Sequence, residues 1–155
     1  MADAPPQFSY EVYIAAPAAQ VWNALVDGEM TRKYVYGTRL RSSLKRGSRY
    51  AYLGERDFEA VTGEILEVEP ERRLVMSWEA HWDADVSKDR ASRVSYELAQ
   101  VNPRTTRLAL RHDGFEGKTA THTGSIDAWP VLMSSLKSLV ETGRPLEMAD
   151  GGGGG

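Results

Sequence analysis

Apolar and polar positions along this chain follow two periods. From Phe8 to Ile14 they alternate. Phe8, Tyr10, Val12 and Ile14 share one face, which predicts a strand with one buried side. After Pro17 the spacing becomes that of a helix, with Val21, Trp22 and Leu25 on one side. Proline suits the first turn because its missing N–H would have no partner there, whereas Ala16 is a poor cap. Asp27-Gly28 breaks this helix. A second short helix is expected from near Asp27 to Tyr34, with the Asp27 carboxylate as its cap. Period two then returns, and strands are predicted over residues 38–44, 48–54, 58–68, 73–82, 92–101 and 105–113. Their inward positions include Tyr50 and Tyr52, then Leu74, Met76, Trp78, Ala80 and Trp82. Val94, Tyr96 and Leu98 follow, and the last strand points Leu108, Leu110 and His112 inward. Gly63 within the third of these runs implies a bulge or a bend. Residues 83–90 read as a polar loop. Short turns link the neighbouring runs, so the sheet is expected to be mostly antiparallel.

The stretch from Trp129 to Gly143 reads as one amphipathic helix whose stripe is Trp129, Leu132, Met133, Leu136 and Val140. Gly143 fits a left-handed stop, and Pro145 forbids continuation. Pro130 leaves two starts open. In one, Asp127 is the cap and the proline sits in the first turn. In the other, the helix begins near Thr119 and kinks at Pro130. A lone helix after a sheet must lie across it, because its apolar stripe has no other partner. If the sheet curves, a hollow can form beneath the helix.

Length and composition narrow the picture. A chain of 155 residues fits one core. We expect a disordered segment over 1–7, a single domain over 8–146 and a flexible glycine-rich tail over 147–155. Net charge is −3, with both signs mixed, so nucleic acid is not an expected partner. The chain has no cysteine, which removes disulfides, thiol catalysis and thiolate metal sites, and suits a reducing cytoplasm. The opening Met1-Ala-Asp-Ala-Pro-Pro does not read as a signal peptide, and no apolar run approaches the roughly 20 residues of a membrane span.

Three stretches carry a resemblance. Val12-Tyr-Ile-Ala-Ala-Pro-Ala-Ala-Gln-Val-Trp-Asn-Ala-Leu25 resembles the opening motif of the START-like (SRPBCC) superfamily. Gly63-Glu-Ile-Leu-Glu-Val-Glu-Pro-Glu-Arg-Arg-Leu-Val-Met-Ser-Trp78 resembles its middle motif. Trp129 through Gly143 is similar to the ending of its branch related to the activator of the 90-kDa heat-shock protein ATPase. The resemblance implies an α+β helix-grip fold: a curved, mostly antiparallel sheet of about six to seven strands around a long C-terminal helix, with two short helices after the first strand. It implies a small apolar or aromatic ligand held between sheet and helix. It also implies two alternatives, a cyclase, dehydratase or hydrolase chemistry and a chaperone-binding role.

On this reading Tyr52, Trp78, Trp82 and Tyr96 wall the hollow from the strands, and Trp129 and Met133 wall it from the helix. His112 would orient a polar group, or serve as acid–base in the enzymatic alternative. Tyr36 and His122 would stand at the mouth. The plain alternative is that the aromatics are packed core and that His112 is a satisfied structural histidine. His81, Asp83 and Asp85 recur at every second position, but on the face opposite Trp78, so no metal is expected. No phosphate loop or His-Glu-x-x-His occurs, no cofactor is expected, and Ser134, Ser135 and Ser138 have no base at a recognisable spacing.

Overall fold

A computed structural model describes residues 7–117 and 119–147. The expected terminal segments fall almost wholly outside these residues. The chain runs β1 (Phe8–Ile14), α1 (Ala18–Val26), α2 (Gly28–Tyr34), β2 (Arg39–Ser42), β3 (Arg49–Leu53), β4 (Glu59–Glu69), β5 (Arg73–Ala80), α3 (Ala84–Ser87), β6 (Ser92–Asn102), β7 (Thr105–Asp113) and α4 (Ala120–Thr142). The strands form one sheet in the order β1-β7-β6-β5-β4-β3-β2, each neighbouring pair antiparallel. Hairpins run from β2 to β7, most through short turns and the β5–β6 pair through a connection that carries α3. The remaining pairing, β1 on β7, joins Phe8 to His112 and Ile14 to Thr106 across most of the sequence.

α1 is started by a long-range contact, α2 by a local cap, and α4 by a local cap with burial of its stripe behind it. The first free N–H of α1, on Ala18, donates to Gln100 Oε1 of β6 at 2.7 Å, which supplies what Ala16 and Pro17 cannot. Asp27 Oδ1 accepts from Glu29 N at 2.8 Å and starts α2, as its sequence predicts. α4 takes the earlier of its two starts. Thr119 is the cap, its hydroxyl accepting from His122 N at 3.2 Å, and the helix runs through Pro130 to a left-handed Gly143 at φ 83°. Proline inside a helix costs about 3 kcal/mol in isolation. Here the burial of Trp129, Leu132, Met133, Leu136 and Leu139 against the sheet offsets it.

One strand ends earlier than its alternation suggests. β5 stops at Ala80, and Trp82 falls in a bend, 47% exposed. The cause is Asp83, whose Oδ1 accepts from Val86 N at 2.9 Å and starts the helical turn α3 inside the expected loop. An aspartate that bonds its own downstream backbone competes with the ladder and turns the chain away. Trp82 therefore does not join Trp78 on the inward face.

Gly63 serves a close approach. A Cβ built there would lie 2.1 Å from Ser77 O and 2.6 Å from the Tyr50 ring, and the Tyr50 hydroxyl already donates to Ser77 O at 2.6 Å. We expect Gly63→Ala to destabilise the fold by about 1–3 kcal/mol, because the obstruction is backbone and cannot swing aside. Urea unfolding checks this, and an unchanged midpoint refutes it.

Candidate functional site

α4 crosses the inner face of the sheet over a row of rings. Tyr50, Tyr52, Trp78, Tyr96, His112, Trp129 and Met133 are all buried. Trp78 sits between three partners, with ring centroids 5.7 Å from Tyr52, 5.8 Å from His112 and 5.4 Å from Trp129. Tyr96 meets Trp129 edge-on at 6.3 Å. The structure thus brings together six of the predicted site residues: Tyr52, Trp78, Tyr96, His112 and Trp129 in ring contact, and Met133 in the same core. The period-two pattern places the strand members there, and the helical stripe places the other two.

The hydrogen bonds around His112 fix its proton. Trp129 Nε1–H donates to His112 Nδ1 at 3.0 Å, so Nδ1 carries no hydrogen. The proton then sits on Nε2, which lies 2.7 Å from Ser92 Oγ and donates to it. Ser92 Oγ points its own hydrogen to the Trp78 carbonyl at 3.4 Å. This chain uses every polar atom of the imidazole. Burial holds the His112 pKa down to about 3, with Asp113 pulling weakly the other way.

Ser92 and His112 have the separation of a nucleophile and its base, yet the tautomer is the wrong one. A base for serine needs a bare Nε2, which an acceptor at Nδ1 would enforce; Trp129 is a donor there. The pair is built to hold structure. Ser92 carried a readable signal, since it shares parity with Val94 and Tyr96 on the inward face. Phe115 carried none. It follows Gly114 at φ 79° and lands 4.4 Å from His112 and 4.9 Å from the His122 ring.

The interior rings with hydroxyls are held neutral. Burial pushes the Tyr34, Tyr50, Tyr52 and Tyr96 phenols above their ordinary range. Tyr34 donates to Ala24 O at 2.8 Å. Two buried side-chain donors have no hydrogen-bond partner among the described residues: Arg73 Nε, in a guanidinium whose other nitrogens pair with Glu67 and Glu97, and Trp78 Nε1 in the aromatic interior.

The predicted mouth residues separate. His122 is buried against Phe115, while Tyr36 is 63% exposed in the turn after α2. Tyr36, Phe58 and Trp82 are exposed in connections at one end of the sheet, beside the start of α4. His81 Nε2 lies 2.8 Å from Thr62 Oγ1, while Asp83 caps α3. Among the described residues no three His, Asp or Glu side chains converge as metal ligands. No described helix is long and apolar enough to cross a membrane.

The outer face of the sheet is different in kind. A cleft of about 450 Å³ there is lined by Arg73, Arg93, Arg111, Glu67 and Glu97 among others. Arg93 grips Asp113 through two bonds at 2.9 and 3.0 Å, and Arg73 pairs with Glu67 and Glu97. Arg73 pairs across β4–β5 and β5–β6 and Arg93 across β6–β7, while Arg111 meets Asp113 on its own strand; the exposed pairs of Arg73 contribute little to stability.

Solved structures share this arrangement. Protein MLL2253 from Mesorhizobium loti superposes with a TM-score of 0.72 at 23% identity, over 86% of this chain and 96% of its own. The Aha1 dimer from Colwellia psychrerythraea gives a TM-score of 0.69 at 15% identity, over 88% of this chain and 97% of its own. PFC0360w, an Hsp90 activator from Plasmodium falciparum, gives 0.62 at 20% identity, over 77% and 85%. At these identities the likeness is one of fold. No curated protein sequence matches the chain. The profile of one family matches residues 15–141, from the end of β1 to the last turn of α4. The chain belongs to the activator of Hsp90 ATPase homolog 1-like family.

Proposed function

We propose that this protein binds a small apolar or aromatic molecule in the seam between α4 and the sheet. The observation that carries this reading is Trp78 Nε1, a donor buried in an aromatic interior with no partner among the described residues. Buried N–H groups are nearly always paired in folded proteins, and exceptions mark functional sites or strain. The rest of the seam has the make-up of a ligand site: rings on all sides and few polar groups, each of them fixed. Opening is cheapest upstream of Pro130. There the buried face of α4 is Thr121, His122 and Ser125, followed by Trp129, and the proline removes one rung of the helix ladder. This end is held by Asp89, whose Oδ2 accepts from Thr121 N at 2.8 Å and Thr121 Oγ1 at 2.6 Å. The cysteine-free composition supports a cytoplasmic setting.

Native mass spectrometry of protein purified under gentle conditions tests the reading. The expected result is an adduct that organic extraction removes. Protein of bare mass, together with no response to a panel of neutral aromatic compounds, refutes it.

Family membership favours a second reading, interaction with the 90-kDa chaperone. The expected result under that reading is a rise in the chaperone's ATPase rate on adding this protein. No rise and no co-precipitation removes it. A catalytic role through His112 is the least supported, because the imidazole is neutral, fully bonded and enclosed.

A further inference from the structure

We infer that the ligand of this seam is an uncharged ring compound bearing a hydrogen-bond acceptor such as a ketone, and that Trp78 Nε1 donates to that acceptor. The inference rests on the small-molecule reading above and adds the chemical class.

Two sets of observations lead to it. The first is the donor. Trp78 is 6% exposed, and Nε1 finds no acceptor among the described residues. Its ring neighbours cannot all oblige. His112 has spent both nitrogens, on Trp129 and Ser92, and Trp129 offers only a donor, itself already used. Tyr52 is the remaining ring neighbour, and no hydrogen bond joins its hydroxyl to Nε1. A site holding an unpaired donor favours a guest that brings an acceptor over an isostere that lacks one.

The second is the absence of fixed charge in the seam. Among the described residues, the buried side chains include no Lys, Arg or Glu, and the one buried Asp is Asp113. Its carboxylate faces Arg93 and Arg111 on the outer side of the sheet. His112 is neutral at physiological pH. A carboxylate guest would lose its hydration and meet no cation, and an ammonium guest would meet no anion. The seam therefore selects against acids and amines even when their rings fit.

Three probes of one shape test this by calorimetry: acetonaphthone, ethylnaphthalene and naphthoate. We expect acetonaphthone to bind tightest, about tenfold above ethylnaphthalene, which is the scale of one net hydrogen bond. Naphthoate should be weaker than either by about 100-fold or more. Trp78→Phe removes the donor together with part of the ring, so it should weaken both neutral probes through lost packing and abolish the preference for acetonaphthone over ethylnaphthalene. In wild-type protein the Trp78 indole N–H resonance should move with acetonaphthone and not with ethylnaphthalene, a readout that does not require the variant to fold. Equal binding of ketone and hydrocarbon, an unmoved indole resonance, or naphthoate binding best overturns the inference while leaving small-molecule binding standing. Binding of none of the three, in a protein that also carries no adduct, removes both.

Discussion

Trp129→Ala is expected to lower the unfolding free energy by about 3–5 kcal/mol, the cost of emptying a buried large aromatic site. The indole is 4% exposed and stands 5.4 Å from Trp78, 6.0 Å from His112 and 6.3 Å from Tyr96. Its loss leaves a void where three rings meet and strips His112 Nδ1 of its donor, which adds the cost of an unpaired buried acceptor. Against a typical total of about 5–15 kcal/mol, such a change leaves the chain near its unfolding threshold. Trp129→Phe should recover part of the loss, since it refills most of the void but still leaves His112 Nδ1 without its donor. Urea unfolding of the pair provides the measurement. A loss below about 1 kcal/mol for alanine would mean that the ring borders open space rather than core.

Acid should destabilise the protein well before its carboxylates titrate, through His112. In the unfolded chain this histidine takes a proton near its ordinary 6.5, and in the fold burial lowers that to about 3. Between those values the unfolded state holds one more proton than the native state. Stability therefore rises with pH across the window and falls as pH drops through it. The slope approaches about 1.4 kcal/mol per pH unit once the unfolded histidine is protonated, which gives about 2 kcal/mol between pH 6.5 and 4.5. Below that, the depressed carboxyls of Asp113 and Glu141, held down by Arg93 and Lys137, add their own losses. His112→Gln can still accept from Trp129 and donate to Ser92 but cannot titrate. Its stability should be flat from pH 6.5 to 4.5 where the parent's declines. Parallel curves for the two proteins would refute the assignment.

Much of the fold could be read before any coordinate was known. Alternation found all seven strands, and the short turns implied antiparallel neighbours. Asp27 announced α2, and Gly143 announced the end of α4. These signals are local: each depends on a few side chains acting on their own backbone. Where two local rules competed, the sequence left the choice open or misled. Pro130 permitted two helix starts, and burial of the stripe from Trp129 to Leu139 decided for the longer helix. Parity alone carried β5 on to Trp82, but the Asp83 cap ended it two residues sooner.

The candidate site divides the same way. That Tyr52, Trp78, Tyr96 and His112 share one face, and Trp129 and Met133 another, follows from periods of 2 and 3.6, so the sequence by itself determined which side chains face each other across the interior. It could not show how they pair. The Trp129–His112–Ser92 chain, the resulting tautomer and the unpartnered Trp78 N–H depend on atomic positions set by packing between elements far apart in the chain. A ring's hydrogen bonds are decided by distances of a few tenths of an ångström, which the pattern of apolar residues does not encode. The sequence therefore specified an aromatic seam under a closing helix, and only the tertiary structure decided that its histidine is neutral and that one indole donor finds no partner among the described residues.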